Sequence, residues 1–233
     1  MSRAPAAPAG LPRRYAAWSL DMTLVALVAL GARAGGVRDG IARSAAAFDA
    51  LVRSLAQSML DMLASGGSPL ELSRRWLSDP RQRAMVAELS DAIAATVLQP
   101  LLLAAVLALA WFVAWEASPG QATPGKRVLG LRVCTLQGGP VGIARAAGRH
   151  LAGTLSWLTL NIGHLLALAP PQYQALHDRI AGTRVVHMQG GATLPKWAQA
   201  WLVLQVACGV IAAAWLFLAT QAAMQRALDA LLL

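Results

Sequence analysis

Residues Gly120 to Arg127, GQATPGKR, come within one position of a phosphate-cradling Walker A loop: G-x-x-x-x-G-K is present, and Arg127 stands where a Ser or Thr belongs. In such a loop a strand precedes the glycines, a helix follows the Lys, and the hydroxyl reaches magnesium. Here an apolar run precedes. The residues that follow, RVLGLRVCTL, alternate Leu129, Leu131 and Val133 with Val128, Gly130 and Arg132, which is the period of a strand. The glycine spacing therefore makes no nucleotide site. Thr123, Pro124 and Gly125 read instead as a turn at a membrane exit, with Lys126 and Arg127 at the headgroup level.

Other reactive constellations are sparse. His177-Asp178 is one dipeptide without the further ligands a metal site needs, and no Ser/His/Asp set is visible, so neither an enzyme nor a metal or cofactor is expected. Cys134 and Cys208 lie far apart in apolar context and read as small buried side chains. Asp21 is the most informative residue. A carboxylate about two turns into an apolar helix costs several kcal/mol unless it is paired, hydrated or protonated. Arg14, Trp18 and Asp21 share one helix stripe; Arg14 can snorkel to the headgroups, while Asp21 must find a partner inside.

The elements that position these residues follow from composition. Of 233 residues, 57% are hydrophobic and only 13% charged, against about a quarter charged in a soluble domain. The apolar residues fall in blocks, so this is an integral membrane protein. A span needs about 20 apolar residues. Residues 15–32, 93–115 and 197–219 meet this, with Trp18, Trp111, Trp115, Trp197 and Trp201 at their ends as in an aromatic belt. The first also follows Arg13 and Arg14 and precedes Ala32-Arg33-Ala34, as a cleaved signal would, but Trp18 and Asp21 interrupt the core such a signal requires. Residues 151–169 are long enough for a fourth span but are broken by Asn161, Gly163 and His164 and closed by Pro170 and Pro171.

Residues 33–90 read as an amphipathic helical insertion: Val37, Ile41, Phe48, Val52 and Leu55 recur near helical spacing, Gly66 and Gly67 end the helix, and Pro69 permits a restart. A turn at Gln137 to Pro140 leads to a helix from about Ile143. Further on, HDRIAGTRVVHM repeats the pattern of the first loop, a polar cluster, a glycine, and a short strand from Thr183 to Met188. Two such strands satisfy each other only as a pair. Pairing places both on one side of the membrane, so residues 151–169 would enter and leave by the same face as a re-entrant hairpin. The competing arrangement has four simple spans. In the hairpin, Asn161 and His164 are candidate partners of Asp21 in an ion or proton site. Arginines before the first span and after the second place the N-terminus on the cytoplasmic side. The fold expected is an all-α integral membrane protein with three to four membrane helices and a two-stranded cytoplasmic β ribbon. Residues 1–12 form a disordered N-terminus, 13–190 the membrane domain, and 191–233 a C-terminal membrane helix and tail.

RRYAAWSLD with Arg14 and Asp21, the loop GQATPGKRVLGLRV, and Asp178 in ALHDRIAGTRVV resemble the RDD family of bacterial membrane proteins, named for one arginine and two aspartates. The resemblance runs over about residues 13 to 188 and maps the name residues onto Arg14, Asp21 and Asp178. It implies a multi-pass domain in the bacterial inner membrane, with transport proposed generally and cation/proton antiport for some members; other relatives look like accessory subunits. Two functions are therefore expected. One is transport of ions or small solutes, with Asp21 as the exchanging carboxylate and Lys126, His177 and Asp178 as a cytoplasmic gate. The other is a non-enzymatic assembly or scaffolding subunit in which Asp178 pairs with Lys126, Arg127 or Arg14. The net charge of +9 suits anionic lipid headgroups rather than nucleic acid, and either function calls for a homo-oligomer or a membrane-protein partner.

Overall fold

The computed structural model describes residues 7–158, 161–188 and 193–232. The helices and strands in chain order are α1 (Leu11–Ala32), α2 (Ala34–Ser65), α3 (Pro69–Ser78), α4 (Pro80–Glu116), α5 (Pro124–Val128), β1 (Leu131–Thr135), α6 (Ile143–Leu158), α7 (Ile162–Leu165), a 3₁₀ turn at Leu166–Leu168, α8 (Leu176–Ile180), β2 (Thr183–His187) and α9 (Lys196–Leu232). Three of them, α1, α4 and α9, are long and apolar enough to cross a membrane. Their outward side chains, among them Leu27, Val28, Val106, Val203 and Trp215, are exposed apolar groups of the kind that lipid solvates. Cys208 belongs to this surface: it is exposed on α9, which corrects the expectation of a buried thiol, while Cys134 is buried in β1.

Two compact units are formed, one from Met1–Ala29 with Leu103–Leu204, the other from Leu30–Leu102 with Gln205–Leu233. In the second, the insertion is helical as its spacing predicts. Gly66 ends α2 at φ 64, and its N–H and that of Gly67 return to Leu63 and Met62 carbonyls. Ser68 then starts α3 through a capping box with Glu71, with Pro69 at the first helical position. Trp76 Nε1 donates to Ser58 and Gln82 Nε2 donates to Ser54 at 2.7 Å, tying α3 and the start of α4 back onto α2.

The first unit contains the ribbon. β1 and β2 pair antiparallel, with Leu131 opposite His187, Val133 opposite Val185 and Thr135 opposite Thr183. The repeated loop pattern becomes a repeated structure: short helix, glycine, strand. Gly130 (φ 65) separates α5 from β1 and Gly182 (φ 59) separates α8 from β2. Each strand's continuation bonds the other's glycine, Met188 N–H to the Gly130 carbonyl at 2.8 Å and Leu136 N–H to that of Gly182 at 3.2 Å. A left-handed backbone here suits only glycine without strain. Two expectations are corrected. The first strand begins at Leu131 and not directly after Lys126, because Pro124 to Val128 wind one helical turn. The stretch assigned to a disordered N-terminus is ordered in its second half: Ala9 N–H bonds Val185 and His187 N–H bonds Ala7, covering the free edge of β2.

Among the described residues of 151–169 no helix is long enough to span, and the helices long and apolar enough to cross a membrane are the three named above. The chain resumes after two residues outside the described set at Asn161 (φ 65), and Gly163 of α7 lies against Ser156 of α6, so the segment folds back on itself and returns to the ribbon. Beneath the ribbon, Ala16 and Ala17 of α1 pack with Leu129, Leu131, Val133 and Val185, while Val25 packs against Ala108 and Phe112 of α4.

Gly40 in α2 supplies a test of the second unit. A Cβ there would meet the Thr96 side chain and approach its Cα to 3.3 Å. Gly→Ala within a helix ordinarily stabilises by about 0.5–1 kcal/mol. Gly40→Ala is expected to reverse that sign and cost about 1–3 kcal/mol through overpacking, read as a lowered midpoint of thermal unfolding in detergent.

Candidate functional site

Asp21, fully buried in α1, is the first anchor. Its Oδ2 accepts from the Thr123 hydroxyl at 2.5 Å, and its Oδ1 accepts from Gly125 N–H at 2.9 Å and Trp111 Nε1 at 3.3 Å. The residue types of T-P-G-K follow from this contact. Thr123 is the N-cap of α5, and its hydroxyl donates to Asp21 while accepting from Lys126 N–H. Pro124 occupies the first helical turn, where no N–H is needed. Position 125 must be glycine because a Cβ would strike the Ala17 carbonyl and the Asp21 carboxylate. The expected partners Asn161 and His164 are not the ones Asp21 uses. The positive end of α5 and two neutral donors take that place.

The second anchor is a buried network of five charges. Arg14 Nη2 meets Asp178 Oδ2 at 2.5 Å. Arg149 bridges the two acids of the network: its Nη1 donates to both Glu116 oxygens at 2.7 and 2.6 Å, and its Nε and Nη2 lie near Asp178 Oδ1. Lys126 Nζ completes Glu116 at 2.8 Å and stands 4.9 Å above the Phe112 ring. Asp178 also caps its own helix by accepting from Ala175 N–H at 3.0 Å. Of the cations expected to pair with Asp178, the structure selects Arg14 and adds Arg149; Lys126 pairs with Glu116, and Arg127 lies over Trp115. Lys126 is thus buried within the protein, because a carboxylate awaits it inside.

Electrostatics follow the geometry. Burial opposes ionisation of Asp178, but Arg14 and Arg149 outweigh it and hold the carboxyl well below the usual range. For Arg149 burial works against the charge, and Glu116 and Asp178 more than offset it, so its pKa is raised. His177 Nε2 lies 3.6 Å from Asp178, yet burial and the Arg149 charge push its pKa down to about 3. It is therefore a neutral neighbour of the acid and no ion-pair partner. Burial also lowers His150, whose ring stacks on Phe112 at 5.1 Å.

Asn161 and His164 line a different feature, a cavity of about 710 Å³ shared with Arg14, Lys126, Glu116, Arg149 and His177. Gly130 shapes the α5–β1 junction, and Arg132 sits on β1 opposite Val186. Glu116 was not singled out by sequence reasoning because an acid ending an apolar helix looks like a solvated helix end. Arg149 reads as one more arginine beside a membrane. Its signal is the buried stripe Ala146, Arg149, Ala152 and Ser156 on α6, small residues at helical spacing with one charge among them. Among the described residues no three His, Cys, Asp or Glu side chains converge as a metal set.

The sequence model of the RDD family matches residues 8–182, which covers more than half of the chain. The chain is also similar to the uncharacterized protein YxaI of Bacillus subtilis (strain 168), with 36% identity over 90 residues; these are 39% of this chain and 59% of YxaI, so less than two thirds of that relative is spanned. No solved structure matches.

Glu116→Gln leaves Arg149 and Lys126 facing one neutral amide, and is expected to destabilise the chain by about 3–5 kcal/mol, as removal of one partner from a buried pair does; chemical unfolding in detergent measures it. His177 gives a pH dependence. Its folded pKa of about 3 lies below the ordinary 6.5, so protons bind the unfolded chain first and stability falls as pH drops from 6.5 towards 3. The fall has a limiting slope of about 1.4 kcal/mol per pH unit from this group. His150 and His187, also depressed, act in the same direction, and Asp178 adds its loss below its ordinary 3.8. His177→Asn should flatten the upper part of that fall and leave the part below pH 4, as followed by thermal unfolding across pH.

Proposed function

The chain belongs to the RDD family of membrane proteins, and on that premise we propose that it is a non-enzymatic assembly subunit of a protein complex in the bacterial inner membrane. The observation that carries this reading is the saturation of the buried acids. Both oxygens of Asp21, of Glu116 and of Asp178 accept donors or face cations from other parts of the first unit. A translocating carboxylate must exchange its partner for a proton or an ion in every cycle. An acid held on both oxygens instead ties helices together, and releasing one partner strands a buried charge.

The partner surface fits elsewhere. α9 lies beyond the family match, and its most apolar 18-residue stretch has no buried residue, while the α2–α3 insertion presents an amphipathic face. The exposed arginines around the ribbon, Arg127, Arg145 and Arg179, favour a cytoplasmic ribbon and N-terminus by the positive-inside bias, against anionic headgroups.

Transport of ions or small solutes is the second reading, favoured by the cavity that adjoins Arg14, Glu116, Lys126 and His177. One pair of measurements separates the two. In proteoliposomes of the purified chain, no proton movement driven by Na⁺ or K⁺ is expected, and from its own membrane the chain should emerge in mild detergent with a second membrane protein in fixed stoichiometry. Cation-driven proton flux that Asp21→Asn abolishes in a folded protein would replace assembly by transport.

A further inference from the structure

The charge network does not balance. Among the described residues, the salt bridges of Arg14, Lys126 and Arg149 go to Glu116 and Asp178, so this five-residue network beside the cavity carries one positive charge in excess, while Asp21 lies outside the cavity wall on neutral donors. The neighbouring histidines do not change this, since His177 is neutral near pH 7. Unused donors accompany the excess. Arg14 Nε is buried without a hydrogen-bond partner in a side chain only 10% exposed, and Lys126 has one of its three ammonium donors on Glu116.

Both cations border the cavity of about 710 Å³, within the range of about 300–1,000 Å³ in which small-molecule sites fall. The rest of its wall is largely apolar, from Leu11, Trp18, Phe112, Leu165 and Ala167. Tyr15 and Leu165, which line it, are exposed, so the cavity opens to the surroundings. Arg14 stands at the start of a membrane helix, followed by Tyr15 and Trp18, the residue types that mark the headgroup layer. A single unmatched cation at that depth, beside a long apolar wall, suits an amphiphile with one negative charge.

We propose that this cavity holds one phospholipid of net charge minus one, with no cationic headgroup to offset its phosphodiester, which lies against Arg14 and Lys126 with part of the acyl portion along Trp18, Phe112 and Leu165. A phosphodiester carries one charge and matches the excess, whereas free phosphate carries more at neutral pH and has nothing to place on the apolar wall. Arg149 has its donors engaged by Glu116 and Asp178 and serves to fix the network behind the site. The inference stands apart from the assembly reading, since a lipid-filled cavity requires no protein partner.

Gly153 of α6 permits a test that leaves the charges in place. It lines the cavity, and a Cβ there meets only His177 Nδ1, at ordinary contact distance of 4.0 Å. The full chain, stripped of lipid in detergent, is mixed with phosphatidylglycerol, phosphatidylcholine or inorganic phosphate, and occupancy is read by native mass spectrometry beside thermal unfolding. One phosphatidylglycerol per chain should be retained, with a raised unfolding midpoint and a preference of about tenfold or more over phosphatidylcholine. Gly153→Leu should abolish retention without lowering the lipid-free midpoint, and Lys126→Gln should remove the preference between the two lipids. Equal retention of both lipids by the natural chain, retention unchanged in Gly153→Leu, or displacement of phosphatidylglycerol by inorganic phosphate would each overturn the proposal. The last result would make the cavity a site for a free anion.

Discussion

Arg149 is the residue on which the interior of the first unit depends. Its guanidinium reaches Glu116 at the end of α4 and Asp178 in α8, and through those acids it is coupled to Lys126 in α5 and Arg14 in α1. Charges taken out of water stay ionised only where partners replace the lost hydration. None of these five side chains can therefore sit inside alone. Five elements must arrive together, and the geometry of each is a condition for the burial of the others.

A second lock acts on the same helix. Asp21 is held by Thr123, Gly125 and Trp111, while Arg14 is held by Asp178, and the two residues lie about 10 Å apart along α1. Fastening α1 at two heights fixes its rotation as well as its depth. The small residues Ala16 and Ala17 between the locks let α5 approach closely, and the N-terminal pairing of Ala7 to Ala9 with β2 leads the chain into α1 at the ribbon. Arg14, Asp21 and Asp178 thus act in two separate contacts. The arginine meets one aspartate, and the other aspartate meets a helix cap.

These contacts also explain why the ribbon is so short. Its strands of five residues each carry little pairing energy of their own, and two-stranded ribbons in isolation are marginal. The helical turns before each strand are anchored instead, α5 through Thr123, Gly125 and Lys126, and α8 through Asp178. The ribbon is a consequence of those anchors, with Leu131, Val133 and Val185 sealing it against α1.

Much of the fold could be read directly from the chain. Apolar blocks, aromatic borders and the insertion's helical spacing reflect one-dimensional patterns set by the bilayer thickness and the helix period, and the structure follows them at α1, α2, α4 and α9. The repeat of polar cluster, glycine and short strand was equally visible, because a positive φ and a period of two are local properties. The candidate site was legible only in part of its membership. Asp21 stood out as a charge where charge is costly, and Arg14, Lys126 and Asp178 stood out by their motifs; of the partners, Arg14 alone was foreseen, as one of three candidates for Asp178. Asp21 meets Thr123 and Gly125 a hundred residues away, and Glu116 and Arg149 pair although each reads alone as an ordinary helix-end charge. Sequence by itself determined which residues had to find partners, since desolvation penalises an isolated charge wherever it lies. Tertiary structure decided which partners they found, because pairing depends on distances between helices that no periodicity along one chain encodes.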